Sequence, residues 1–310
     1  MVHAVVAAFR ALVGEGPEPL PSEPLAAALI AHRLAPYAYS RFSAAWQPLL
    51  RPALAETFAA AHVRAPLLAH ALAAIAAQGD IAVVALKGLD YAQSLYGDVA
   101  LRPMGDHDLL VKQRDYPRAH AALLAAGFKD ALVQTGVAAH PQHYAAQLIC
   151  EGYGLDLHRA VRQSVRAEVD YEAVFAQATP RADGVLIPAP QHRVLLHCLH
   201  MAGHEFCGPL LSFLDLELME SDDETRKLAK KWRVEHAFVA ALRLRARLLG
   251  QRVPRVFLGD SLLPSIARLS DPSEAQSRAL QLARKLVLLD DWEHRLAFGR
   301  YAALLAIANR

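Results

Sequence analysis

Between residues 81 and 111 the chain runs IAVVALKGLDYAQSLYGDVALRPMGDHDLLV. Its first six residues are apolar and rich in β-branched side chains, and they are bounded by Asp80 and Lys87. That pattern predicts a short buried strand. Gly88 stands where the strand passes into a helix, and Gly97 marks the end of that helix. HDLLVK, residues 107–112, then predicts a second strand. RDYPRAHAALLAAGF, residues 114–128, has the spacing of an amphipathic helix, with Leu123 and Leu124 facing inward and a stop at Gly127. FKDALVQ, HYAAQLIC and YGLDLHRA read as further strands, with a glycine-containing turn at residues 151–154. The order strand, helix, strand, helix and then a run of strands predicts an α/β or α+β core over about residues 80–160.

On either side of this core the period is helical. Leu25, Ala28, Leu29 and His32, then Leu54, Phe58 and His62, then Leu68, Ala71, Leu72 and Ile75, recur at helical spacing, with Pro17, Pro19, Pro21 and Pro24 between the first helix and the next. From about residue 190 the same period returns in HRVLLHCLHMAGHE, LLSFLDLELMES and RKLAKKWRVEHAFVAALRLRARLLG. The expected layout is an N-terminal helical region over 1–79, a mixed α+β core over 80–180 and a C-terminal helical domain over 181–310. The mixed-charge run at residues 221–231 reads as a solvated helix face.

Composition narrows the classes of function. At 310 residues with 54% hydrophobic and 21% charged side chains, the chain has enough apolar material for a substantial core. A net charge of +2 supplies no long-range field for gripping nucleic acid. Arg243, Arg245 and Arg247 are spread around their helix and form no single basic stripe. Three cysteines, Cys150, Cys198 and Cys207, with no Cys-x-x-Cys pair, exclude a disulfide framework and a four-cysteine zinc site. They point to a reducing, cytoplasmic setting. No window of about 18 residues is both free of charge and strongly apolar, which argues against a membrane span. The N-terminal segment reads as an amphipathic helix and not as a signal peptide.

The chemistry concentrates in Asp106-His107-Asp108. Residues two apart on a strand share a face, so both carboxylates project together. Like charges held so close repel unless a cation sits between them. An oxygen-only donor set of this kind suits Mg²⁺, which keeps several waters and bridges to substrate phosphates. A further carboxylate, Asp156, lies inside the apolar run YGLDLH, where a structural alternative is a salt bridge to Arg102 or Arg159. The junction of strand, Lys87-Gly88 and helix offers free backbone N–H groups for phosphate.

Taken together, LKGLDYAQSLYGDVALRPMGDHDLLV, then GLDLH, then LLHCLHMAGHEFCGPLLSFLDLELM resemble the uncharacterised bacterial nucleotidyltransferase family, within the polymerase-β-like nucleotidyltransferase superfamily. The matching residues are Lys87 and Gly88, Arg102, Asp106 and Asp108, Asp156 and His158, then His200, His204 and Asp215, over about residues 80–220. The resemblance implies a small mixed-sheet nucleotidyltransferase core flanked by helices. It implies an enzyme that moves a nucleoside monophosphate from a nucleoside triphosphate, ATP first among them, to a hydroxyl-type acceptor on a small molecule, peptide or protein. By the same resemblance, Asp106, Asp108 and Asp156 hold Mg²⁺ and Asp156 assists deprotonation of the acceptor. Lys87 and Gly88 seat phosphates, and Arg102 stabilises departing pyrophosphate. Relatives are often encoded among peptide natural-product or surface-polysaccharide genes. Two positions depart from the superfamily pattern: Lys-Gly replaces the usual Gly-Ser, and His107 stands where an apolar residue is more usual.

Fifteen histidines include a cluster at His192, His197, His200 and His204. His200 and His204 are one helical turn apart, but the glutamate follows them, so the pattern is not His-Glu-x-x-His. Two readings of the cluster stand: interhelical packing and buried hydrogen bonds, or, with Asp215, a wall contacting base, ribose or acceptor. Asp215 and Glu217 point about 200° apart on a helix and cannot chelate one ion together. His158 with Arg159 suits either phosphate contact or a solvated strand end. The rival to the enzyme is a catalytically inactive module of the same fold that holds a peptide or protein partner.

Overall fold

A computed structural model of the chain describes residues 1–131, 145–161, 167–252 and 264–265, together with isolated positions between 283 and 296. The fold is α+β, with a seven-stranded mixed sheet and eleven α-helices among the described residues. The chain divides into two compact units, one of residues 35–163 and 171–189, the other of residues 1–34, 164–170 and 190–310.

The first unit holds the sheet. Its strands are β1 (Val83–Leu86), β2 (Asp106–Val111), β3 (Lys129–Asp130), β4 (Ala145–Cys150), β5 (Tyr153–His158), β6 (Thr179–Pro180) and β7 (Leu186–Ile187), in the spatial order β3-β4-β5-β2-β1-β7-β6. β1 and β2 are antiparallel, β2 and β5 parallel, and β4 and β5 antiparallel around the turn at Glu151 and Gly152. Both turn residues have positive φ, 50° and 77°, which suits the glycine and strains the glutamate. The run FKDALVQ yields only the two-residue β3, and residues 132–144 lie outside the described part.

Side-chain alternation gives the sheet two distinct faces. Val83 and Ala85 of β1, Leu109 and Val111 of β2, Leu148 of β4, and Leu155 and Leu157 of β5 form one apolar cluster. Onto it pack the helices α4 (Gln47–Ala76), through Leu68, Ala71 and Ile75, and α6 (Tyr116–Ala125), through Ala119 and Leu123. Spacings of three and four put these residues on one helix face. Leu123 is inward as expected, but Leu124 is 41% exposed, because consecutive helical residues lie about 100° apart. The other sheet face carries Asp106, Asp108, Asp156 and His158.

Among the described residues, the segment Ala44–Ala76 alone is long and apolar enough by length and composition to cross a membrane. Its sequence is alanine-rich, and its buried face belongs to the sheet core. Ahead of it is α3 (Ala35–Arg41), and after β1 come α5 (Gly88–Ser94) and, following β5, α7 (Tyr171–Ala176).

The second unit is helical: α1 (Val2–Leu12), α2 (Glu23–Ala31), α8 (Pro190–Gly203), α9 (Leu211–Glu217), α10 (Asp223–Lys231) and α11 (Glu235–Leu248). Arg10 of α1 donates from Nε to the carbonyl of Leu248 at 2.7 Å. The His32 carbonyl accepts from the Leu211 N–H at 3.3 Å. The charged run is α10, solvated as expected except at Thr225, Leu228 and Ala229. Asp222 caps it in a reciprocal box with Thr225, and acids in its first turn and lysines in its last complement the helix dipole.

Candidate active site

β2 and β5 run in parallel register, with Asp108 opposite Asp156 and Asp106 opposite Gly154. This pairing places two carboxylates of different strands side by side. Asp108 is buried, with 3% exposure, and its Oδ1 receives two partners: Lys87 Nζ at 2.7 Å and His158 Nε2 at 2.9 Å. Donor atoms of Asp108, Asp156 and His158 all lie within 4.8 Å of one another, a grouping suited to a metal ion. Asp106 shares their face at the exposed start of β2.

The electrostatics of the two acids diverge. Burial works to raise the Asp108 pKa, but the charge of Lys87 and the hydrogen bond from His158 prevail and hold it far below the usual carboxylate range. Asp156 goes the other way, pushed up to about 6 by burial and then by the charge of Asp108. Adjacent like charges of this kind titrate as a pair with separated affinities.

Lys87 reaches Asp108 from the junction between β1 and α5. Its backbone adopts φ 47° and ψ −116°, a left-handed conformation that a lysine takes only at a cost. Gly88 follows, and a Cβ there would meet Met104 Cγ and Sδ at 3.0 Å and Arg102 Nη1 at 3.5 Å. The absence of a side chain thus lets the Arg102–Met104 segment close over the start of α5. Arg102 is 7% exposed, with its guanidinium 5.2 Å from the Tyr91 ring centre.

The sequence expectation for metal ligands was Asp106, Asp108 and Asp156. The tight grouping contains Asp108, Asp156 and His158, so His158 has a place in the site that its solvated-pair reading did not suggest. The alternative of Arg159 as a structural partner meets a different arrangement, with the Arg159 guanidinium 5.6 Å from the Tyr116 ring centre. His107, between the two acids, faces the opposite side of the sheet, 3% exposed and beside Tyr153 at 5.4 Å between ring centres. Burial, then the charge of Arg64, lowers its pKa to about 4, so the ring is neutral. Neither Arg64 nor Tyr153 stood out in the sequence, since neither belongs to a motif.

His200, His204 and Asp215 belong to the helical unit. The two histidines meet edge to face at 4.7 Å between ring centres, and with Met201, Phe206, Ser212 and Phe213 they line a cavity of about 150 Å³. Asp215 is fully buried on α9. His197 bonds the Ser212 carbonyl at 2.8 Å, and His192 stacks on Trp232 at 5.2 Å. Cys150, Cys198 and Cys207 are all thiols, and burial pushes that of Cys198 up to about 12.

One face of the mixed sheet thus brings together a buried and a half-buried carboxylate, beside a Lys-Gly junction and a buried arginine. The model of the family described as uncharacterised nucleotidyltransferase matches residues 19–250, and the chain belongs to that family. No curated protein and no solved structure matches it. Family membership supports a general nucleotidyltransferase role and implies a nucleoside triphosphate as substrate.

Proposed function

We propose that the protein is a cytoplasmic, Mg²⁺-dependent nucleotidyltransferase that moves a nucleoside monophosphate, from ATP first among the triphosphates, to a hydroxyl-type acceptor on a small molecule, peptide or protein. The observation that carries this reading is the rung on which Asp108 and Asp156 face each other, with Asp156 raised to about 6. Burying like charges together is costly unless a cation joins them.

The two carboxylates suit Mg²⁺ and would hold it, with Asp106 at the open end of β2. His158 is a nitrogen donor, which this ion seldom takes, and its bond to Asp108 fits it to orient that ligand. When bound, Mg²⁺ would neutralise charge on the triphosphate and on the departing pyrophosphate. Asp156 takes the acceptor's proton as the acceptor oxygen bonds to the α-phosphorus, its carboxylate lying on the same rung as Asp108. The bond from that phosphorus to the bridging oxygen breaks, and pyrophosphate leaves. Lys87, already aimed at Asp108, supplies positive charge to the phosphates, and Arg102 beside Gly88 balances charge on the leaving group.

Thermal unfolding in the presence of ATP, GTP, CTP or UTP, each with and without Mg²⁺, tests the proposal, with Asp108→Asn in parallel. A stabilisation by at least one nucleotide that requires Mg²⁺ and disappears in the variant is expected. Stability unmoved by every nucleotide would overturn the reading in favour of the inactive binding module.

A further inference from the structure

The sheet face opposite Asp108 and Asp156 borders a second cavity, of about 500 Å³, within the range of sites that hold small molecules. One wall is a strip of α4 in which Ala61, Ala65, Ala69 and Ala73 follow at intervals of four and so lie in one row. Leu89, Val99 and Met104 form the facing wall, and Arg181 and Asp183, paired with each other, also border it. An alanine row alone is only a smooth surface. Here it leads to a polar end.

That end is built from His107, which lines the cavity and is 3% exposed. Its Nδ1 has no hydrogen-bond partner among the described residues, and neither does the hydroxyl of Tyr153, whose ring lies 5.4 Å away and is also 3% exposed. Buried polar atoms left without partners are rare and costly. Arg64 of α4 donates to the carbonyl of Met104, a cavity-lining residue, which leaves further N–H groups of its guanidinium available. Its positive charge acts on both rings: it works against the burial that raises the Tyr153 pKa, and it adds to the burial that lowers that of His107. Asp106 acts on Tyr153 more weakly.

We propose that this cavity binds a small amphipathic carboxylate, its apolar body along the alanine row of α4 and its carboxylate at Arg64, Tyr153 and His107. Arg64 sets the sign of the head group, and a carboxylate offers enough lone pairs to satisfy all three partners. The apolar walls exclude a highly charged ligand such as a triphosphate. The occupant would touch the residue between Asp106 and Asp108, on the reverse of the strand that carries them.

Calorimetric titration of the full-length protein with decanoate, and with decanol as its uncharged counterpart, tests the assignment. Saturable one-to-one decanoate binding is expected. Ala69→Phe, which fills the cavity, should weaken it at least tenfold with the unfolding temperature retained, and Ala73→Phe serves the same purpose should the first variant misfold. Arg64→Gln should weaken decanoate at least fivefold and leave decanol within twofold. Absence of saturable decanoate binding, native-like binding in a folded cavity-filling variant, or equal losses for both probes in Arg64→Gln would overturn the proposal. None of these readouts involves nucleotide or metal, so they stand or fall separately from the transferase reading.

Discussion

Asp108 and Asp156 occupy the same rung of the parallel β2–β5 ladder, yet one carboxyl is held far below the usual range and the other is raised to about 6. The asymmetry arises because Lys87 and His158 both bond Oδ1 of Asp108. Asp156 is left to carry the cost of burial and of its neighbour's charge.

Replacing Asp156 by Asn should therefore stabilise the metal-free protein at neutral pH, by about 1–2 kcal/mol, while abolishing transfer. The sign follows from a folded pKa above the unfolded one. The aspartate's contribution is fully favourable below about pH 4 and is lost as pH rises through about 6. Urea denaturation at pH 4.5 and 7.5 checks this: the advantage of the variant should appear at the higher pH and shrink at the lower.

Lys87→Met removes the lysine cation facing a buried carboxylate. A loss of about 1–3 kcal/mol is expected, since a buried charge without its partner is strongly destabilising. Adding Asp108→Asn to that background should restore much of the loss, and a double-mutant cycle from denaturation curves measures the coupling. Equal losses in the two backgrounds would show that the ion pair contributes nothing.

His107 predicts an acid sensitivity of its own. Its folded pKa of about 4 lies below the ordinary 6.5, so the unfolded chain binds more protons between those values. Stability from this group is complete above pH 6.5 and declines as pH falls toward 4, by on the order of 2–3 kcal/mol. His107→Phe should lose less stability than the native protein between pH 7 and pH 5, as denaturation midpoints would report.

Gly88→Ala tests the close approach over α5. The new methyl would sit 3.0 Å from the Met104 thioether, which must shift by a few tenths of an ångström. A stability cost of about 1 kcal/mol is expected. Turnover should fall much further, because Lys87 and Arg102 flank the same point. Parallel measurement of kcat and the unfolding midpoint separates the two effects.

Much of this was legible in the chain itself. The apolar run bounded by Lys87 and the run HDLLVK predicted β1 and β2, and strand alternation put Asp106 and Asp108 on one face with His107 on the other. The motif order pointed to the family that the match over residues 19–250 confirms. Local pattern also identified α6 and the solvated α10, because capping residues and amphipathic spacing act within a few residues.

What tertiary structure decided was who faces whom. α4 is alanine-rich nearly all round, so its sequence could not say that Leu68, Ala71 and Ile75 would meet the sheet while another strip would border a cavity. The strands β6 and β7 are two residues each and exist only through their partners, since a ladder needs a second strand. The separation of Asp108 from Asp156 in ionisation, and the place of His158 beside them, depend on a register joining residues 48 apart in sequence. Periodicity specifies the face on which a side chain lies, but the energy of burying a charge is set by neighbours that only the folded sheet brings within hydrogen-bonding distance.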